Sequence, residues 1–213
     1  MKSGTIPEKS ISKAVINRLP RYHRYLGELI KSDITRISSG ELAKRMSLTA
    51  SQIRQDLNCF GGFGQQGYGY NVRLLYEAIG DILGVSQSYN AIIVGTGNLG
   101  HALATHPLFK NRGVNLIGLF DKKEDIIGQT VNGLNICHID ELEVFCAQNT
   151  VDIAVMTVPK TETPLMCEKL AKLGVKGFWN FSNMELKLPD YDVQIENMHM
   201  GDSLMKLCYK LTR

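Results

Sequence analysis

Asn90-Ala91-Ile92-Ile93-Val94-Gly95-Thr96-Gly97-Asn98-Leu99-Gly100 places an apolar run directly before three glycines in a Gly-x-Gly-x-x-Gly pattern, and Leu99–His106 then reads as a helix. With a strand before and a helix after, that pattern predicts a phosphate-binding turn. Gly95 permits the tight turn, Gly97 lets a pyrophosphate approach the backbone, and Gly100 allows close helix–strand packing. Thr96, Asn98 and Leu99 complete the turn, where backbone N–H groups at the helix start face the phosphates.

The next strand, Val114–Phe120, runs into Asp121, at the distance expected of an acid that accepts from the adenosine ribose hydroxyls. A carboxylate there repels a 2′-phosphate, so the dinucleotide is expected to be NAD(H). Lys122, taken as part of the cofactor site, and Lys123 are cations able to neutralise such a phosphate, which leaves NADP open.

Outward from this turn the chain alternates strands and helices. Strands are predicted at Ala91–Val94, Val114–Phe120, Asn135–Ile139, Val151–Val158, Val175–Phe181 and Val193–His199, with helices at Leu99–His106, Glu141–Gln148 and Thr163–Leu173. That order predicts a Rossmann-like parallel α/β sheet. Ligands in such sheets sit at the carboxyl ends of strands. Thr157, Val158 and Pro159 after one strand, and Asn180 at the end of another, are therefore candidates for contacting the nicotinamide or its ribose. Asp202–Leu211 reads as a final helix with Leu204, Leu207 and Leu211 on one side.

The first third is different. Ile11, Val15, Ile16 and Leu19 form one helical face, with Ser10 as its expected N-cap. Pro20 interrupts it and suits a helix start, after which Tyr22, Tyr25, Leu26, Leu29 and Ile30 share a face. Ser38-Ser39-Gly40-Glu41 and Thr49-Ala50-Ser51-Gln52 read as two capping boxes, opening short helices at Ser39–Met46 and Ala50–Asn58 separated by a turn at Ser47-Leu48. Gly61 to Tyr70 reads as a β-hairpin, Val72 to Leu83 as a helix, and Gly84 to Asn90 as a linker.

Two short helices followed by a hairpin predict a winged helix-turn-helix. With Ile53, Leu57 and Phe60 inward, Ser51, Gln52, Arg54, Gln55 and Asn58 face outward as candidate major-groove residues. Arg21, Arg24, Lys44 and Arg45 are candidates for phosphates, and Gln65 and Tyr68 for contact from the wing. Residues 1–60 carry 11 Lys/Arg against 5 Asp/Glu, while the rest of the 213-residue chain is net acidic. The excess of cations in the first part alone fits a polyanionic partner for that part.

Composition narrows the remaining classes. The sequence has no apolar run of membrane-spanning length and no signal core, so a cytoplasmic protein is expected. Five scattered cysteines with no Cys-x-x-Cys spacing predict reduced thiols and no metal site. A small NAD-dependent oxidoreductase is the main alternative function. Against it, the residues after the helical part suffice only for a nucleotide fold, and His101, His106 and His138 form no recognisable acid–base constellation. No catalytic residue is assigned. A DNA-binding sensor of another nucleotide, such as coenzyme A, is a further reading, against which Asp121 calls for a ribose with free hydroxyls.

The stretches Pro20-Arg21-Tyr22-His23-Arg24-Tyr25-Leu26, Ser38-Ser39-Gly40-Glu41-Leu42-Ala43, Gln52-Ile53-Arg54-Gln55-Asp56-Leu57, Phe60-Gly61-Gly62-Phe63-Gly64, Gly67-Tyr68-Gly69-Tyr70 and Val94 to Gly100 together resemble the Rex family of redox-sensing transcriptional repressors, over nearly the whole length. The resemblance implies a winged-helix DNA-binding domain over 1–84, a Rossmann NAD(H)-binding domain over 85–199 and a dimerisation helix over 200–213 that swaps onto the partner of a homodimer. It implies binding to double-stranded operator DNA when NADH is scarce and release by NADH. An apolar nicotinamide pocket walled by Met200, Leu204 and Leu207 would favour the neutral reduced ring. Two departures stand out: Gln65 and Gln66 occupy wing positions where the family often has Lys or Arg, and Asn180-Phe181-Ser182-Asn183 replaces an Asn-Phe-Ala-Pro-like segment.

Overall fold

The computed structural model describes residues 11–59, 64–65 and 68–212, with the backbone alone at 64, 65 and 111. Contacts divide the chain into two compact units, Met1–Ser86 and Gln87–Arg213.

In the first unit α1 (Lys13–Ile16) is a single turn capped by Ser12, whose side chain accepts from the Val15 amide. Ser10, the expected cap, lies outside the described residues; a one-turn helix starting at Lys13 takes the serine directly before it. α2 (Leu19–Lys31) carries Pro20 in its first turn, where the missing N–H has no partner to lose. β1 (Arg36–Ile37) follows, too short to show periodicity in the sequence. α3 (Ser39–Met46) opens on the complete Ser38–Glu41 capping box and ends on Ser47 in the left-handed region. α4 (Ala50–Asn58) starts at Thr49, which accepts from the Gln52 amide. The second half of the expected box does not form: the Gln52 side chain donates to Asp56 instead, 2.8 Å away, because a carboxylate one turn on is the stronger, charge-assisted partner.

β2 (Gly64–Gln65) and β3 (Gly69–Asn71) pair antiparallel, and β1 joins the far side of β3, giving the order β1-β3-β2. α5 (Val72–Ile82) closes the unit, with Asn71 accepting from the Leu74 amide as its cap. Leu19, Tyr22, Leu26, Leu42, Met46, Ile53, Leu57 and Ile79 form one core from α2, α3, α4 and α5. Phe60, expected inward, and Gln66 lie outside the described residues.

In the second unit β4 (Tyr89–Val94) starts inside the stretch read as linker. It is followed by α6 (Asn98–Thr105), β5 (Val114–Asp121), β6 (Thr130–Val131), β7 (Leu134–His138) and α7 (Leu142–Gln148). Then come β8 (Ile153–Met156), α8 (Thr163–Lys172), β9 (Gly177–Asn180), β10 (Gln194–Asn197) and α9 (Met200–Leu211). The sheet order is β10-β9-β8-β4-β5-β7-β6, parallel throughout except for the β6–β7 hairpin. β8 and β9 are shorter than the apolar stretches that predicted them, since Val151, Val158 and Val175 are buried from loop positions. Alternation sorts the strand residues to two cores. Ile92, Val94, Phe120, Ala154 and Met156 join α7 and α8 on one face, and Ile93, Leu119, Ile136 and Val155 join α6 on the other.

α9 is the exception to burial. None of its residues is buried, and Leu204 and Leu207 are 62% and 53% exposed. Among the described residues no helix is long and apolar enough to cross a membrane.

Candidate functional site

The sheet changes direction at β4, with β5 on one side and β8 on the other, and a crevice at the carboxyl ends of strands flanking such a switch is where α/β sheets hold ligands. Gly95, directly after β4, has φ +96°, a conformation L side chains rarely adopt, and a Cβ there would meet the Thr157 backbone. A Cβ on Gly100 would lie against the Gly95 carbonyl oxygen, whereas beside Gly97 there is open space. Gly97 is also the N-cap of α6 and no side chain caps that end. An uncapped helix start beside a glycine with clear space is a fit for a pyrophosphate. Asn98 and Leu99 form the first turn behind it.

Thr96 turns inward: it is buried, its hydroxyl donates to the Phe120 carbonyl, and its amide donates to Asp121 Oδ2 at 2.5 Å. The other Asp121 oxygen accepts from the Lys122 and Lys123 amides, so backbone donors from both loops fix this carboxylate beside the turn. The Lys122 ammonium is paired with Glu162 at 2.6 Å and that of Lys123 with Asp125 at 2.9 Å. Lys123 is held protonated to higher pH by the Asp125 hydrogen bond. Both lysines thus carry their own carboxylate.

Thr157, after β8, donates its hydroxyl to the Gly95 carbonyl at 2.5 Å, which ties the turn to the neighbouring strand. Val158 is buried and Pro159 exposed beside it. Asn180 sits at the end of β9, but its side chain serves the fold. Nδ2 donates to the Met184 carbonyl and to Asn197, and Oδ1 accepts from the Ser182 amide and hydroxyl. The structure therefore brings Gly95–Gly100, Asp121, Lys122 and Thr157 to one end of the sheet. Asn180 acts there as a brace for the Ser182 loop.

In the first unit Ser51, Arg54, Gln55 and Asn58 are exposed on α4, as are Lys44 and Arg45 on α3. Arg54 donates to Ser39 Oγ at 3.1 Å. Arg21 is exposed but donates to the Met46 carbonyl, which closes the C-terminus of α3, and Arg24 lies over the Tyr25 ring. Tyr68 is exposed, with Arg36 over its ring and donating to its carbonyl. Gln65 pairs through its backbone with Gly69, and its side chain is outside the described residues.

Sequence reasoning missed one group. Asp56, 1% exposed in α4, accepts from Arg18 at 2.6 and 2.8 Å, from the Tyr22 hydroxyl at 2.8 Å and from Gln52 at 2.8 Å. Burial, the largest single influence, pushes its carboxyl up; the bonds from Arg18, Tyr22 and Gln52 together outweigh it and hold the carboxyl below its usual range. Burial first and then Asp56 push the Tyr22 phenol up. The signal was present: Asp56 is three residues past Ile53 and next to Leu57, so it falls on the inward face, where a charge demands a partner.

The cysteines are all free thiols, and burial pushes the Cys167 thiol up to about 12, away from reactivity. Among the described residues no three metal-ligating side chains come together.

Residues 10–58 match the family model described as "Putative DNA-binding protein N-terminus", and residues 86–184 match "CoA binding domain". The chain is 51% identical over 94% of its length, and 89% of the relative's, to the redox-sensing transcriptional repressor Rex of Caldanaerobacter subterraneus subsp. tengcongensis. Among solved structures it is similar to RSP in complex with beta-NAD+ and operator DNA, with a TM-score of 0.89 and 48% identity over 96% of this chain and 94% of that one. It is likewise similar to RSP in complex with beta-NADH, with a TM-score of 0.88 and 46% identity over 96% of this chain and 95% of that one.

Proposed function

The chain belongs to the Rex family of redox-sensing transcriptional repressors, and on that premise we propose that it binds operator DNA when NADH is low and is released by NADH. The observation that carries this reading is the pairing, in one chain, of a helix-turn-helix with an exposed polar face on α4 and a glycine turn built for a dinucleotide. The RSP complexes with NAD+ and operator DNA, and with NADH, support the same assignment of ligands. It is a regulator and not an enzyme, and the oxidoreductase reading is not favoured.

NAD(H) is the effector. Gly95–Gly100 would hold the pyrophosphate and Asp121 the adenosine ribose. The carboxylates on Lys122 and Lys123 favour NAD(H) over a 2′-phosphorylated dinucleotide. The description of the second family model points to coenzyme A; its 3′-phosphate would meet the Asp121 carboxylate, which disfavours it. Bound nicotinamide presents either a neutral or a cationic ring, and only a difference in how two protein conformations bind those rings can shift the protein between them.

The DNA would be met by Ser51, Gln52, Arg54, Gln55 and Asn58 in the major groove, with Arg21, Lys44 and Arg45 on phosphates and Gln65 and Tyr68 from the wing. α9 presents Met200, Leu204 and Leu207 without a covering surface in its own unit, which fits a helix that packs on the partner of a homodimer. As a DNA-bound regulator the protein works in the cytoplasm.

The test is a titration of a labelled operator duplex. NADH is expected to weaken binding at least about tenfold more than NAD+ does, within the usual range of allosteric coupling. Equal effects of the two would refute the reading.

A further inference from the structure

We infer that Asp56 fixes the amide of Gln52 so that Gln52 reads a base carrying an exocyclic amino group in the major groove. The inference rests on the DNA-binding reading above and deepens it. An ionised carboxylate only accepts hydrogen bonds. Gln52 must therefore turn Nε2 inward to Asp56 Oδ1, 2.8 Å away. Asp56 cannot turn aside, because Arg18 grips both its oxygens and Tyr22 donates to Oδ2. The outward edge of the amide then always carries Oε1.

Gln52 lies in the first turn of α4, the part of a recognition helix whose side chains meet base edges. In the major groove adenine N6 and cytosine N4 are donors, while guanine O6 and thymine O4 are acceptors. An amide free to rotate could serve either set. One pinned by its nitrogen presents Oε1 to the base: adenine N6 or cytosine N4 donates to it, whereas guanine O6 or thymine O4 would oppose it with a second acceptor, and on adenine the second Nε2 hydrogen remains for N7. The buried carboxylate thus acts as a positioning residue for specificity, and its own contact with DNA is not required.

The experiment selects binding sites from a randomised duplex library with the full chain and compares base profiles. Wild type should prefer adenine or cytosine about tenfold at one position of each half-site, the scale of one good base contact. In Asp56→Asn the asparagine oxygen stays at the Oδ2 position with Arg18 Nε and Tyr22, and its NH2 takes the Oδ1 position facing Gln52, at the cost of the Arg18 Nη2 bond. The Gln52 amide then inverts, and guanine and thymine become acceptable at that one position. Gln52→Met, at a half-buried site, should abolish the preference there and leave other positions intact. An unchanged profile in either variant overturns the inference, as does a uniform loss of affinity at all positions. Should Asp56→Asn fail to fold, the exchange rate of the Gln52 side-chain amide protons in wild type decides. Protected protons support the pinned amide and rapid exchange overturns it. If wild type selects no sequence at all, the DNA-binding reading itself fails, an outcome distinct from these.

Discussion

Both units are prepared for an anionic partner, yet they do it with opposite materials. The dinucleotide turn uses backbone: Gly95, Gly97 and Gly100 remove side chains, and the nearby lysines are engaged with Glu162 and Asp125. The helix-turn-helix uses side chains: a surface of Ser, Arg, Gln and Asn on α4, of which Gln52 is held by a buried carboxylate that Arg18 and Tyr22 bind in turn. The first site should therefore fail when an atom is added, and the second when a side chain is removed.

The largest effect expected is from Gly100→Ala. The third glycine of such turns is often replaceable by alanine, but here the added methyl would press on the Gly95 carbonyl, which Thr157 holds by its hydroxyl. Overpacking of about 2–3 kcal/mol corresponds to roughly a hundredfold loss of NADH affinity, measurable by calorimetry. Operator binding should persist in this variant and lose its response to NADH. Retained NADH affinity would mean that the turn is more pliable than its contacts suggest.

Next is Arg18→Ala, which leaves a buried carboxylate without its cation. Breaking such a pair costs about 3 kcal/mol, read as a lowered midpoint in denaturant for the first unit. Acid gives a second readout. The folded carboxyl of Asp56 titrates below its unfolded value, so its contribution is present above about pH 4 and is lost as pH falls through the folded value. Wild type should lose this increment in acid and Arg18→Ala should have little left to lose.

The same contrast explains what the sequence showed. Glycine identity is itself the chemistry at Gly95 to Gly100, and strand, turn, helix and Asp121 lie within one βαβ stretch, so local pattern was enough to read the strand, the turn and the helix. The centre of the parallel sheet was legible for the same reason, since β4, β5 and β8 announce themselves by apolar runs. The Arg18–Asp56 pair joins residues 38 apart in sequence, and only folding shows that they meet. Gln52 illustrates the cost. Its identity predicted a capping box, whereas a carboxylate one turn on takes its amide nitrogen instead. Asn180 was placed correctly at a strand end, but its role depends on Ser182, Met184 and Asn197, none of which local pattern could assign to it. β1 and β6, of two residues each, are too short to carry a period.

A dinucleotide that is a signal for DNA binding, and not a reactant, must bind in a way that depends on the DNA. Coupling between two ligands is reciprocal. The most direct test is the NADH dissociation constant of the protein, measured free and again saturated with operator duplex. NADH should bind more weakly to the DNA-bound protein, by the same factor, about tenfold or more, by which NADH weakens DNA binding. An identical NADH affinity in the two states would contradict it.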